Sequence, residues 1–257
     1  MTTIAVTGSA GGMGQAIRRR LCADGATVLG IDLHDAEITA DLRTASGRAS
    51  LADDVAARCD GVLDGLVVAA GVQAADAATI LSVNYFGAVA SLTALRPLLE
   101  RGTDAAVVAV ASNTASTQPG YPAEVAELCL AGDEAAALSA IDDDALGAYP
   151  VSKLALSRWV RRHAPSAEWI GAGIRLNAIA PGFIDTPMTE GAWELVESIG
   201  DVYPMPTGRP GRPDEIAELT AFLLAPGAGF ICGSIITIDG GTEAALRPDA
   251  WPRPFET

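Results

Sequence analysis

Residues 4–14 read Ile-Ala-Val-Thr-Gly-Ser-Ala-Gly-Gly-Met-Gly, a β-branched apolar run that empties into a glycine loop and then a helix-compatible segment over 15–21. That order is a nucleotide-binding signature built as strand, loop and helix. Gly8 can take the positive φ of a tight turn, Gly12 lets the chain approach a pyrophosphate, and Gly14 lets the helix pack on its strand. With Ser9 and Met13 they make the expected phosphate loop, where unpaired N–H groups of the helix N-terminus face the anion.

A second strand, expected over 27–31, runs into Asp32. The carboxylate follows the last glycine at close to the spacing, about 20 residues, of the acid that accepts hydrogen bonds from an adenosine ribose. This argues for NAD. A 2′-phosphate would meet like charge at Asp32, the loop is free of basic residues, and position 33 is Leu33. The Arg18-Arg19-Arg20 run lies beyond the first helical turn and reads as a solvated face. A plainer alternative makes Asp32 a strand-end turn residue.

Composition narrows the class. The 257 residues are 49% hydrophobic and 19% charged, which suits one large α/β core, and no linker-like stretch divides the chain, so 1–257 is expected to be one domain. With 17 basic against 32 acidic residues the formal charge is −15, which disfavours nucleic acid or an anionic membrane surface and favours a small neutral substrate. Cys22, Cys59, Cys129 and Cys232 are scattered, with His34 and His163 the only histidines, so no metal site is expected. The first strand begins at once and no apolar run approaches a membrane span, which leads to the expectation of a cytoplasmic protein with reduced thiols.

Strand candidates recur at 4–7, 27–31, 65–69, 105–111, 174–179 and 234–238, separated by helical stretches. Such alternation predicts a Rossmann-type, doubly wound parallel α/β sheet with helices on both faces. Ligands bind at the carboxyl ends of such strands, where this chain places Gly8, Asp32, Ala70-Gly71, Ser112 and Pro181-Gly182. A second constellation, Tyr149-Pro150-Val151-Ser152-Lys153, opens a helix and sets Tyr149 and Lys153 four apart on one face. An ammonium beside a phenol stabilises the phenolate, so a weak acid can exchange a proton near neutral pH.

Taken together, Thr7-Gly8-x-x-x-Gly12-x-Gly14, Asp32, Asp41-Leu42, Ala69-Ala70-Gly71, Asn84, Ser112, Tyr149-x-x-x-Lys153, Pro181-Gly182 with Thr186, and Ile238-Asp239-Gly240-Gly241 resemble the short-chain dehydrogenase/reductase family over essentially the whole chain. The resemblance implies a secondary-alcohol oxidoreductase using NAD, with Tyr149 as general acid/base, Ser112 hydrogen-bonded to the substrate oxygen, and Lys153 lowering the Tyr149 pKa while binding the nicotinamide ribose. Asn84 would hold a relay water, and Ile184 and Thr186 would join Pro181 and Gly182 around the cofactor. Asn113 reads as support for Ser112. Asp41 has two readings, adenine contact and N-cap of the helix after Leu42.

The stretch between Ser112 and Tyr149 is longer than most of the family carries. Within this insertion, about 115–146, the segment 122–146 has Glu124, Glu127, Asp133, Glu134, Asp142, Asp143 and Asp144 without a basic residue, and Val125, Leu128, Leu138 and Ile141 at helical spacing. Two short acidic helices are expected, bordering the substrate cleft, altering a subunit interface, or forming a solvated excursion. The insertion, with Gly30-Ile31-Asp32, Val83-Asn84-Tyr85-Phe86-Gly87 and Arg247-Pro248, is similar to the bacterial 3α-hydroxysteroid dehydrogenase/carbonyl reductase branch. That likeness implies a steroid alcohol or ketone, with terpenoid, aromatic or alicyclic alcohols and a non-catalytic dinucleotide sensor as the alternatives.

After Pro181-Gly182, Phe183, Met188, Trp193, Val196, Ile199, Tyr203 and Met205 are expected to wall the substrate as a lid over about 183–210, with Gly191, Gly200 and Gly208 as flexible points; the alternative is ordinary core. The substrate contacts are expected from Ser112, Tyr149, Phe183, Met188 and Trp193. The tail, with Pro248, Trp251, Pro252, Pro254 and Phe255, reads as a frayed end or a strap across a partner in a homodimer or homotetramer.

Overall fold

The computed structural model describes residues 2–252. Seven strands, β1 (Thr3–Thr7), β2 (Thr27–Asp32), β3 (Ile38–Thr39), β4 (Gly65–Val68), β5 (Ala106–Val110), β6 (Arg175–Pro181) and β7 (Ile235–Ile238), form one sheet in the order β3-β2-β1-β4-β5-β6-β7. Every pairing is parallel. The expected doubly wound sheet is present, with one addition. β3 is a two-residue edge strand, too short to leave a periodic pattern, and it pairs Thr39 with Asp32. β4, β5 and β6 are buried along their whole lengths because helices cover both faces, which is why they read as unbroken apolar runs.

α1 (Gly12–Ala23) and α10 (Pro213–Leu224) pack together on one face, where Ile17, Val67, Val108 and Ile216 share a core. The arginine run is paired rather than free: Arg19 reaches Asp214 at 3.4 Å, Arg20 reaches Glu218 at 2.7 Å, and Arg18 pairs with Glu37. The other face holds α2 (Ala45–Ala56) and a helical run of α3 (Ala77–Leu81), a single π-helical turn (Ser82–Gly87) and α4 (Ala88–Leu99). Contrary to the sequence expectation, Ala77–Leu99 is long and apolar enough to cross a membrane, with a mean hydropathy of 1.5; yet 67% of its most apolar window is buried inside the fold. Its apolarity is that of a helix enclosed in the core.

The insertion forms α5 (Thr114–Thr117), α6 (Val125–Leu130) and α7 (Glu134–Ile141), leading into α8 (Ala145–His163). α6 packs on α8 and α7 on α3, burying Val125, Ala126, Cys129, Ala137 and Ile141 in the main core. This overturns the solvated-excursion reading. Its acids have structural employment: Asp133 and Asp144 cap α7 and α8 through Ala136 N (3.0 Å) and Gly147 N (2.8 Å), while Glu127 pairs with Arg158 and Arg162.

The segment after β6 carries α9 (Trp193–Ser198), and α11 (Thr242–Leu246) follows β7. None of the seven apolar residues expected in the lid is buried, so the ordinary-core alternative fails for them. Gly191, Gly200 and Gly208 all have positive φ. At the opposite end of β6 from Pro181, the buried Arg175 guanidinium donates to the carbonyls of Leu223 (2.8 Å), Leu224 (3.2 Å), Ala225 (3.2 Å) and Ala228 (3.1 Å), closing the C-terminus of α10. In the tail, Trp251 is exposed, and Pro254 and Phe255 lie outside the described residues.

Candidate active site

The carboxyl ends of β1, β2, β3 and β4 open onto a cleft of about 540 Å³. Its floor is the glycine loop. Gly8 has φ +70° and donates to Ile31 O at 2.8 Å; a Cβ there would stand 2.6 Å from Ala70 N, so a side chain would push the β1 and β4 ends apart. Gly14 abuts the Gly8 carbonyl, which lets α1 start directly behind the loop. Gly12 lines the cleft, and its Cβ would meet Thr186 Cβ at 2.9 Å, so its bare backbone also admits the Thr186-Pro187 turn. No side chain caps α1, and its first turn holds no acid, which leaves an electropositive helix entrance in the cleft. Met13 lines this region, whereas the Ser9 hydroxyl is buried beneath the loop without a partner and contributes no side chain to the cleft.

Asp32 ends β2 in the same cleft, where its carboxylate accepts from Ala10 N at 2.9 Å and Leu33 N at 2.7 Å, with Leu33 half exposed beside it. Asp41 and Leu42 line the cleft too. The N-cap reading of Asp41 is wrong, because Thr44 caps α2 by accepting from Gly47 N at 3.0 Å. Asp41 instead grips Arg43 (2.7 Å), and this guanidinium holds its carboxyl below the usual range. Arg43 lies in the cleft, a basic residue near Asp32 that neither the glycine loop nor position 33 supplies. Its charge was visible in sequence; its place was not, because the two-residue β3 brings the chain back alongside Asp32. Arg48 was missed for a similar reason. It donates to Leu42 O (2.6 Å), Ser82 O (2.9 Å) and Glu134 Oε2 (2.7 Å), joining the insertion, the π turn and the cleft wall.

At the end of β5, Ser112 Oγ accepts from Thr114 N at 3.2 Å. Tyr149 stands half buried in the first turns of α8; burial pushes its phenol up and the Ser112 hydroxyl opposes. One turn on, Lys153 is buried with Nζ donating to Val110 O at 2.9 Å and 5.7 Å from the Tyr149 ring centre, and burial pulls its ammonium down to about 8. Asn84 sits in the π turn, which turns its amide onto Val72: Oδ1 accepts from Val72 N and Nδ2 donates to Val72 O, both at 2.8 Å. A Cβ on Gly71 would lie 3.3 Å from Asn84 Oδ1 and 3.5 Å from Lys153 Nζ. Sequence-distant Ser112, Tyr149, Lys153, Asn84 and Gly71 therefore meet in one place.

Past β6, Pro181 O accepts from Asn113 N at 2.9 Å, and Gly182 is pressed on Asp239, 2.6 Å from where its Cβ would be. Thr186 and Met188 reach the main cleft, together with Ala70 and Gly71. Phe183 and the buried Ile184 instead line a separate cavity of about 190 Å³, and the Phe183 ring lies 5.9 Å from that of Trp193. The expected set thus divides, with Ile184 serving as core.

Residues 2–123 match the short chain dehydrogenase family model, and 133–243 match one described as Enoyl-(Acyl carrier protein) reductase. The 3-alpha-hydroxysteroid dehydrogenase/carbonyl reductase of Comamonas testosteroni is 40% identical over 96% of this chain and 99% of its own. This chain belongs to the short-chain dehydrogenase family. It is an oxidoreductase acting on secondary alcohols. Cis-4-hydroxycyclohexanecarboxylate dehydrogenase of Sinomonas cyclohexanicum is a more distant member, 30% identical over 93% of this chain and 95% of its own. The crystal structure of the 3-alpha-hydroxysteroid dehydrogenase from Pseudomonas sp. B-0831 complexed with NADH superposes with a TM-score of 0.88 at 42% identity, covering 97% of this chain and all of that one.

Proposed function

We propose that the protein interconverts a 3α-hydroxyl and the matching ketone on a steroid, or on an alcohol of similar bulk and apolarity, using NAD. The observation that carries this is the approach of the buried Lys153 Nζ to the Tyr149 ring at 5.7 Å, with the Ser112 hydroxyl beside the phenol. The relatives named above, a hydroxysteroid enzyme over nearly the full chain and an NADH complex of another, support substrate class and cofactor.

The residues present fit the dinucleotide. A glycine-rich loop meets an uncapped helix entrance, and Asp32 faces the cleft with a carboxylate suited to ribose hydroxyls and hostile to a 2′-phosphate. Nicotinamide supplies the hydride acceptor for the carbinol carbon, or the donor in reverse. Ser112 Oγ orients the substrate oxygen. Tyr149 Oη takes the hydroxyl proton in oxidation and returns it in reduction, and the Lys153 ammonium favours the phenolate. Asn84 Oδ1 retains a lone pair beside Lys153 for a relay water. Met188 and the exposed apolar segment carrying Trp193 supply contact surface for an apolar ring system, and Phe183 braces Trp193.

The chain acts as one dinucleotide-binding domain in the cytoplasm, a setting that four free thiols suit. The half-buried edge strand β7 and the exposed Phe222 and Phe230 offer surface for a homodimer or homotetramer, checked by light scattering. Turnover is read at the reduced-nicotinamide absorbance band with NAD or NADP, a panel of 3α-hydroxysteroids and small secondary alcohols, beside Tyr149→Phe. Steroid turnover with NAD that Tyr149→Phe abolishes supports the reading. Turnover confined to small alcohols removes the steroid, and NAD binding without turnover points to a sensor.

A further inference from the structure

The residue after Ser112 does more than fill the strand end. Asn113 is buried, and its Nδ2 donates to Asp239 Oδ2 at 3.0 Å, at the end of β7. Asp239 is itself fixed, accepting from Gly241 N (3.0 Å) and Glu243 N (2.8 Å). A carboxylate so held can only accept, which orients the Asn113 amide with Nδ2 toward Asp239. Tyr203 meets that oriented amide: its hydroxyl lies 3.0 Å from Asn113 Nδ2 and 3.2 Å from Oδ1.

Tyr203 also marks where the substrate segment re-enters the fold. Upstream, the helical pieces Pro187–Thr189, Trp193–Ser198 and Gly200–Val202 contain no buried residue. From Tyr203 onward the chain is clamped. Thr242 Oγ1 donates to Pro204 O at 2.7 Å, and the side-chain-free Gly240 and Gly241 let Thr207 and Pro206 lie against the turn, with would-be Cβ contacts of 2.5 and 3.3 Å. Burial pushes the Tyr203 phenol up, and Tyr149 and Asp239 stand near enough to add to that electrostatically. One hydroxyl thus connects the wall of the substrate site to the strand end that presents Ser112.

We propose that Tyr203 is a positioning residue: through Asn113, held by Asp239, its hydroxyl fixes the substrate segment against the Ser112 end of β5 and so sets affinity for the alcohol. The inference deepens the proposed function and rests on that reading for its kinetic arm. Tyr203→Phe keeps the ring and deletes the tie. The expected result is a KM for the alcohol raised about tenfold, the worth of one such hydrogen bond, with kcat within twofold. In the apoenzyme, amide hydrogen exchange over 186–202 should quicken, while exchange in β5 and β6 stays as it was. Asn113→Ser should reproduce both effects, and the double variant should be no worse than either single one. Unchanged exchange over 186–202 overturns the proposal, as does a fall in kcat and KM together with a lower melting temperature. If the wild type turns over no alcohol, the proposed function fails, but the exchange comparison still decides the tie.

Discussion

Lys153 is where activity and stability conflict, and the conflict can be measured. Its ammonium is buried, has one carbonyl acceptor, Val110 O at 2.9 Å, and is lowered by burial from its ordinary 10.5 to about 8. That gap corresponds to about 3 kcal/mol of cost in the folded state at pH 7, where the lysine is charged both folded and unfolded. Lys153→Met removes the charge and keeps most of the volume. It also leaves the Val110 carbonyl without its partner, a loss of about 1–2 kcal/mol. The variant should therefore be more stable than wild type at pH 7 by about 1–2 kcal/mol, though crippled in turnover. The sign reverses with pH. Between about 8 and 10.5 the unfolded lysine holds its proton and the folded one does not, so wild-type stability rises with pH and the advantage of Met disappears. Urea unfolding of both proteins at pH 7 and pH 10 tests this. A variant less stable by more than about 1 kcal/mol at pH 7, or a difference that is the same at both pH values, would refute the reasoning.

Asp32→Ala should weaken NADH binding by about 10- to 100-fold and narrow the preference over NADPH, as read by nicotinamide fluorescence; an unchanged dissociation constant would show that the carboxylate only turns the chain. Arg175→Met should cost about 2–3 kcal/mol in urea unfolding, since the carbonyls of Leu223, Leu224, Ala225 and Ala228 each lose a donor, the last two keeping backbone ones from Ala228 N and Ile231 N, and leave KM values unaltered because Arg175 and Pro181 are opposite ends of β6. Glu134→Gln should lower stability by about 1 kcal/mol and raise the KM for NAD several-fold, because Arg48 would lose its charged partner while still holding Leu42 and Ser82; a stability loss with KM unmoved would confine the insertion to packing.

The backbone of this protein was legible from residue order. Gly8, Asp32, Ser112 and Pro181-Gly182 punctuate apolar runs, and a parallel sheet buried on both faces admits only runs of that kind, so strand order in sequence and the side carrying the ligand followed from local pattern. The Tyr149–Lys153 pair was equally local, because one helix fixes a four-residue spacing by its own geometry. What needed tertiary structure were relations between elements remote in sequence. Arg43 reaches the cleft only because the edge strand β3 pairs beside Asp32, Asp41 yields its cap to Thr44, and the acidic insertion becomes core once α8 and α3 cover its apolar face. The tie from Tyr203 through Asn113 to Asp239 spans three segments whose spacing in sequence carries no period. Hydrophobic periodicity and glycine punctuation encode what a segment becomes on its own, whereas the partner of a buried polar group is set by whichever element packing brings within 3 Å of it, and only the folded chain decides that.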